Sequence, residues 1–288
     1  MNQYESFVFR KTAAAGDPDR ACEFFAFHTG VSRTRIREAM IKGAAWQKRI
    51  RGIRGRVRRA TAQVKPGDRM ELYYDERLLS AEPVEVMLLA DRKEYSLWYK
   101  PAGLLTQGTQ YGDHCSLLRQ VEIAFRHARH VFPVHRLDRE ASGLVLVAHT
   151  KKAAAHLSGR FRENSVKKRY RVHVRGDLLQ RGTRGSIDLP LEGKNALTSY
   201  VVDSYDAVSD ESTVTVEIGT GRLHQIRRHF HHIGHPVMGD PRYGKGNKNT
   251  DGMKLIASEL EFDCPVHGHR VCFRLDEYIA GQTSDTGP

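Results

Sequence analysis

Cysteine is scarce in this chain of 288 residues: Cys22, Cys115, Cys264 and Cys272 form no dense framework. A disulfide-stapled scaffold is thereby excluded, and a reducing compartment is expected. Long apolar runs are missing too. No stretch approaches the ~18 consecutive apolar residues that span a bilayer. The opening residues, MNQYESFVFRKTAAAGD, lack the apolar region of a signal peptide. A cytoplasmic protein with no membrane partner is expected. Acidic residues are outnumbered, 34 against 46 lysines and arginines, for a formal net charge of +12. Such a balance says little of fold and much of partners, with nucleic acid first. The rest is ordinary globular material, 40% apolar and 28% charged, in a length that suits two domains.

The chain centres on VHRLDREASGLVLVAH, Val134 to His149. Its first half is polar. Its second half, Leu144 to Ala148, is an apolar run that reads as a buried strand. Ser142 and Gly143 separate the two, so Asp138 sits on a turn at the mouth of a core strand. Flanked by Arg136 and Arg139, its carboxylate is kept ionised and can serve as nucleophile or base. A surface turn with exposed ion pairs is the plain alternative. The stretch resembles the signature of the RluA-type family of pseudouridine synthases, HRLD followed by a TSGL-like turn, with Ala141 in place of the usual threonine.

Before this centre, Asp17-Pro18 reads as a helix start. The helix carries Cys22, Phe24, Phe25 and Phe27 and can stop at Gly30. Ser32 caps a second helix, SRTRIREAMIKG, whose Ile36, Ala39 and Met40 follow i, i+3, i+4 spacing. A strongly basic connection follows, from Lys48 to Arg59. VKPGDRMELYYD then gives a Pro-Gly turn and a strand. Clustered Arg and Lys are what phosphate neutralisation needs, although a solvated basic loop reads the same way. The arrangement resembles the RNA-binding module named after ribosomal protein S-four. It implies a small α+β RNA-binding domain over residues 1–80, with Arg33, Arg35, Lys48, Arg49, Arg51 and Arg54 among its RNA contacts.

A strand-rich region opens near Leu79 to Pro83, and YSLWYKPAGLLTQG gives a strand running into a Pro-Gly turn. This turn is similar to the family's first motif, N-K-P-A-G-L, with Tyr99 for the asparagine, and no chemical role is assigned to Lys100. Cys115 to His130 reads as a helix beneath that turn. Thr150 caps another helix. In SVKKRYRVHVRGD, Val166, Lys168, Tyr170, Val172 and Val174 share one strand face. A tyrosine there is ordinarily core; the family's K-x-Y strand instead implies a ring that stacks on the target base. In RLHQIRRHFHHIGHPVMGD, Leu223, Ile226, Phe230 and Ile233 sit at helical spacing, and Gly234 and Pro236 end the helix. Arg227 borders that buried stripe and needs an acidic partner, for which Asp138 is the candidate. The segment matches the family's G-R-x-H-Q-I-R…G-H-P-x-x-G-D-x-x-Y-G motif through Tyr243-Gly244.

Histidines crowd this region, and Cys264, His267 and Cys272 raise a zinc reading. CPVHGHRVC reads better as a hairpin with Gly268 in the turn. The tail from 281 to 288, GQTSDTGP, is expected to be disordered.

The resemblance implies an α+β catalytic domain over 81–280, with a mostly antiparallel mixed sheet flanked by helices. It implies isomerisation of uridine to pseudouridine in structured ribosomal or transfer RNA, with base flipping, no cofactor and no metal. Asp138, Tyr170 and Arg227 would be catalytic. Arg136 would fill the vacated base stack, and Leu255 would line the pocket. A monomer is expected. A non-catalytic RNA-binding or ribosome-assembly factor explains the charge equally well, but not the three motif positions. A metal-dependent nuclease needs a ligand set that the sequence does not place.

Overall fold

A computed structural model describes residues 6–244 and 251–282. The chain divides into two compact units. One comprises the residues up to Val84 together with Gln107–Gln120; the other comprises Glu85–Thr106 and the chain from Val121 onward. Among the described residues no helix is long and apolar enough to cross a membrane.

The first unit holds β1 (Ser6–Thr12), α1 (Ala21–Thr29), α2 (Arg33–Ile41), β2 (Ala45–Lys48), β3 (Gly55–Arg56), β4 (Arg69–Asp75) and α3 (Glu76–Ser80). Its sheet runs β1-β4-β2-β3, and Phe24, Phe25, Ile36, Met40, Met70 and Leu72 fill its core. Ser32 caps α2 by accepting from the Arg35 amide, and Gly30 ends α1 in the left-handed region. Asp17 does not cap α1, which starts at Ala21 with no side-chain cap. Its carboxylate instead accepts from the Ala14 amide and pairs with His28 at 3.0 Å. The basic connection is not a plain loop. Ala45 and its neighbours pair with β4, and Trp46 is stacked by Arg54 and Arg56 at 4.0 and 4.3 Å. Gln107–Gln120 belongs here because Arg56 and Arg58 pair with Asp113, and the Trp46 indole donates to the Gln110 carbonyl.

The second unit is built on one large mixed sheet, the α+β architecture the motifs implied. Its strands are β5 (Met87–Asp91), β6 (Tyr95–Lys100), β7 (Phe132–Pro133), β8 (Ser142–Ala148), β9 (Lys167–Arg175), β10 (Arg184–Asp188), β11 (Leu197–Asp206), β12 (Glu211–Ile218), β13 (Leu255–Asp263) and β14 (Arg270–Arg274). The order is β10-β11-β12-β9-β13-β8-β6-β5, with β14 on β13 and β7 on β8. Among the described residues only β8 and β13 pair in parallel; the other pairs of this sheet are antiparallel. The seven residues of β8 are all buried, as expected of an apolar run covered on both faces. α5 (Lys151–Arg162), capped by Thr150, packs Ala153 and Leu157 into the core beside Leu144, Leu146 and Phe262. α6 (Gln225–His232) and α7 (Leu275–Gln282) complete the unit.

The helix expected over Cys115 to His130 is only α4 (Leu117–Ala124). Arg126 and His127 take positive φ angles of 49° and 59°, which a helix cannot continue through. Leu223 does not join the stripe of α6, which begins two residues later, and stays half exposed. Gly281 and Gln282 close α7 rather than open a tail; the remaining tail residues, 283–288, lie outside the described residues.

Three neighbouring strands place the site. β8 starts where the HRLD turn ends, and its Gly143 lies opposite Ala257 of β13, which in turn lies opposite Tyr170 of β9. The crossing is close. Gly143 has φ of 111°, and a Cβ there would run into the Ala257 carbonyl oxygen. Gly143→Ala is therefore expected to lower stability by about 2–3 kcal/mol, through backbone strain and a clash with rigid backbone. Chemical denaturation checks this. A wild-type midpoint would show that the two strands have room to part.

Candidate active site

A cavity of about 280 Å³ opens where β8, β9, β13 and α6 meet, and its lining includes Arg136, Asp138, Tyr170, His224, Arg227 and Leu255. The sequence had singled out all of these but His224. Leu255 is buried at the start of β13 and gives an apolar wall. Tyr170 presents its ring from β9. Burial and the neighbouring Asp138 push its pKa up, so the phenol stays protonated. Arg136 is exposed and has no acidic partner among the described residues.

Arg227 is 2% exposed and is surrounded by acids. Its Nε and Nη2 donate to the two oxygens of Asp240 at 2.7 and 2.9 Å, a bidentate pair. Its Nη1 donates to Asp138 Oδ2 at 3.1 Å and to Glu140 Oε2 at 3.4 Å. Burial opposes the guanidinium charge, but Asp240 and Asp138 outweigh it and hold the pKa above its ordinary value. Asp240 is equally committed. Burial alone would raise its pKa; Arg227 and the amides of Arg242 and Tyr243 bring it below 3.8. The Tyr243 ring lies 5.4 Å from the Arg227 guanidinium carbon. Thus Arg227 meets the partner expected for it, Asp138, and three that were not expected, Asp240, Glu140 and the Tyr243 ring. Asp240 and Tyr243 stood in the quoted G-D-x-x-Y-G motif, which was the available signal.

The backbone around Asp138 is fixed from the other side. Lys100 is fully buried, and its Nζ lies within 2.6–3.3 Å of the carbonyls of Pro101, Leu104, Arg139 and Ala141. Burial pulls its pKa down to about 8 against the pull of Asp138 and Glu140. The Gly103 amide donates to the Arg139 carbonyl, and Thr106 exchanges hydrogen bonds with both backbone groups of Leu137. The Lys-Pro-Ala-Gly turn and Thr106 together therefore grip the residues on either side of Asp138. His135 is structural as well. It accepts from the Leu146 amide at 2.9 Å and stacks on Phe161, and burial followed by Lys168 lowers its pKa to about 3.

The expected basic contacts of the first unit behave differently from one another. Arg33 and Arg35 lie on α2 with Glu23 and Glu76 nearby. Arg54 is turned inward to Glu71 at 2.6 Å and to Trp46. Lys48, Arg49 and Arg51 are exposed, without an acidic partner among the described residues. The crowded histidines are dispersed: His229 bonds Thr198 and the Leu189 carbonyl, His224 bonds Tyr243, and His235 bonds the Arg175 carbonyl. Cys264 lies in the hairpin beside Tyr95, with Gly268 in the turn at φ 73°. Among the described residues, the one close group of three ligand-type side chains is Glu259, Glu261 and Cys272. Its carboxylates are taken by Arg169, Arg274 and Arg270.

Asp240→Asn keeps the shape and drops the charge, leaving Arg227 short of an anion. A loss of ~3 kcal/mol at neutral pH is expected. Because the folded pKa is lowered, the stabilisation is complete above 3.8 and is lost as pH falls through the folded value. Urea unfolding should therefore show a wide gap between wild type and variant at pH 7 and a narrower one at pH 3. An equal gap at both would refute the ionic account.

The family model described as RNA pseudouridylate synthase matches residues 94–232. The dual-specificity RNA pseudouridine synthase RluA of Yersinia pestis is 34% identical over 67% of this chain and 94% of its own length. The tRNA pseudouridine synthase C of Haemophilus ducreyi is 33% identical over 52% of this chain and 70% of its own. In fold, the human RNA pseudouridylate synthase domain containing 1 aligns with a TM-score of 0.57 and 23% identity over 72% of this chain and all of that one. With the HRLD turn, the K-x-Y strand and the buried arginine assembled around one cavity, these matches mean that the chain belongs to the RluA-type family of RNA pseudouridine synthases, isomerases acting on RNA.

Proposed function

We propose that the protein isomerises uridines to pseudouridine in structured ribosomal or transfer RNA, taking the target nucleotide out of its stack and into the cavity at Asp138. The observation that carries this reading is the convergence of Asp138, Tyr170, Arg227 and Leu255 on one pocket. A base within a helix is out of reach of a carboxylate, so the nucleotide has to be extruded. The Tyr170 ring and the Leu255 side chain give a flat base two apolar surfaces to rest on. Arg136, unpaired at the mouth, can enter the vacated stack. Relatives bearing tRNA, ribosomal large subunit and dual-specificity names support both substrate classes.

The chemistry needs no oxidant and no energy source. The bond from N1 of uracil to C1′ of ribose breaks, the base turns, and C5 bonds to C1′. N1 ends with a proton, and the hydrogen on C5 is released to water. Asp138 is the nucleophile or base of this sequence, held in place by the Arg227 Nη1 donor on its Oδ2. The residues of the first unit supply affinity, with the module similar to that of ribosomal protein S-four gripping phosphates through Lys48, Arg49 and Arg51, and orientation through Arg33 and Arg35. Arg54, already paired, contributes mainly by keeping Trp46 in place.

Release of tritium from RNA labelled at C5 of uracil tests the reaction. Wild type is expected to release it from bulk RNA of cells lacking the protein. Asp138→Asn should fall to background while binding RNA within a few-fold of wild type. Measurable turnover by that variant would remove Asp138 from the chemistry, and RNA binding without release by wild type would favour a binding factor. Replacing Lys48, Arg49 and Arg51 together by alanine should weaken RNA binding and lower the slope of log affinity against log salt by up to ~3. An unchanged slope would place the phosphate contacts elsewhere.

A further inference from the structure

His224 has three features that its place in the chain does not require. Its φ is 52°, a left-handed conformation that residues other than glycine seldom adopt. It stands just before α6 yet makes no side-chain cap there. Its ring lines the cavity instead. Strain of this kind, kept at the edge of a pocket, points to use of the side chain.

The contacts say what the use is. Nδ1 lies 3.1 Å from the Tyr243 hydroxyl, and Nε2 faces Asp138 Oδ2 at 3.8 Å. Arg227 Nη1 donates to that same oxygen at 3.1 Å. If the phenol donates to Nδ1, the imidazole proton resides on Nε2 and is aimed at the carboxylate. The other tautomer would set a lone pair against an anionic oxygen. Two N–H groups therefore converge on Oδ2, and neither touches Oδ1.

We propose that His224 is a positioning residue which, together with Arg227, holds Asp138 by Oδ2 and so presents Oδ1 to the target nucleotide. This rests on the reading of Asp138 as the reacting group. The 3.8 Å gap closes when the nucleotide fills the cavity and excludes water, as catalytic hydrogen bonds commonly do on binding. The charged groups facing the ring are Asp138 and Glu140 from the HRLD turn, Arg227 on α6 and Arg242 beyond it. Burial keeps the ring neutral against the pull of Asp138, with the arginines assisting. A neutral donor positions the carboxylate without neutralising it, whereas an imidazolium would pair with it and slow the reaction. Protonation of His224 should therefore contribute to the acid limb of kcat.

His224→Gly is the natural test, because glycine accepts the backbone angle. With Asp138→Asn alongside, tritium release should show kcat reduced by about 10²-fold and KM for RNA within twofold of wild type. The unfolding midpoint should not fall, and added imidazole should restore part of the lost rate. The contribution of His224 to the acid limb should be lost in the variant. Tyr243→Phe, which removes the donor to Nδ1, should lose a smaller factor and shift that limb. Wild-type kcat in His224→Gly, a loss confined to KM, or a loss that imidazole does not relieve would each overturn the assignment while leaving the role of Asp138 intact. An inactive wild type would overturn the reading of the cavity and this assignment with it.

Discussion

A guanidinium with almost no access to water has to be met by anions, and Arg227 is met by three. Asp240, fully buried with it, is the partner whose loss costs most, about 3 kcal/mol, because it holds the bidentate face of the guanidinium. The consequence reaches well beyond one helix. Asp240 lies after α6, Asp138 and Glu140 lie some ninety residues earlier, and all are drawn to one side chain. α6 is short because Gly234, at φ 84°, and Pro236 stop it. Stopping it there returns the chain in time for Asp240 to reach the helix that carries Arg227. The hydrogen-bonded turn at Asp240, with the amides of Arg242 and Tyr243 on its carboxylate, then brings Tyr243 against both Arg227 and His224.

The Asp138 carboxylate is fixed twice, through its side chain by Arg227 and through the neighbouring backbone by the turn after β6. Lys100 has three N–H groups and four carbonyls around it, so its ammonium acts as a small cation at the centre of a backbone cage. Two of those carbonyls belong to Arg139 and Ala141, which bracket the acidic residue at 140. Thr106 holds Leu137 on the other flank of Asp138. Precision at a functional side chain commonly comes from rigid elements under it. Here those elements are strands β6, β8 and β13, and Gly143 is what lets the last two come close enough.

Parts of this were legible in the sequence for clear physical reasons. The apolar run of β8 has no polar residue to put at a surface. The alternation in β9 leaves one way to face Tyr170. Gly234 and Pro236 cannot continue a helix. The need of Arg227 for an acid followed from its edge position on an apolar stripe. What could not be read depends on contacts between distant segments. That Asp240, not Asp138, takes the bidentate face of Arg227 is a matter of tertiary geometry. Asp17 followed by proline carries a cap signature, yet His28 and the Ala14 amide claim the carboxylate first. The left-handed angle of His224 was not legible, because histidine takes such angles more often than most residues yet still seldom, and nothing in the neighbouring sequence marks this one. Arg54 looked like its basic neighbours until Glu71 and Trp46 turned it inward.

That last case bears on how the net charge of +12 should be weighed. Many of the cations are internal ties: Arg227 to its three acids, Arg169 to Glu217 and Glu259, Arg56 and Arg58 to Asp113. A cation already held by an acid releases little on meeting a phosphate, since one pair is exchanged for another. The groups that matter for an anionic partner are those left over. In the HRLD turn, Arg139 leans to Glu140 at 3.6 Å, and both acids lean to Arg227. Arg136 is the charge in that turn with no acid beside it among the described residues, and it is the one at the mouth of the cavity. In the first unit Lys48, Arg49 and Arg51 stand in the same position. Composition points to nucleic acid; the pattern of unpaired charge points to where it would be touched.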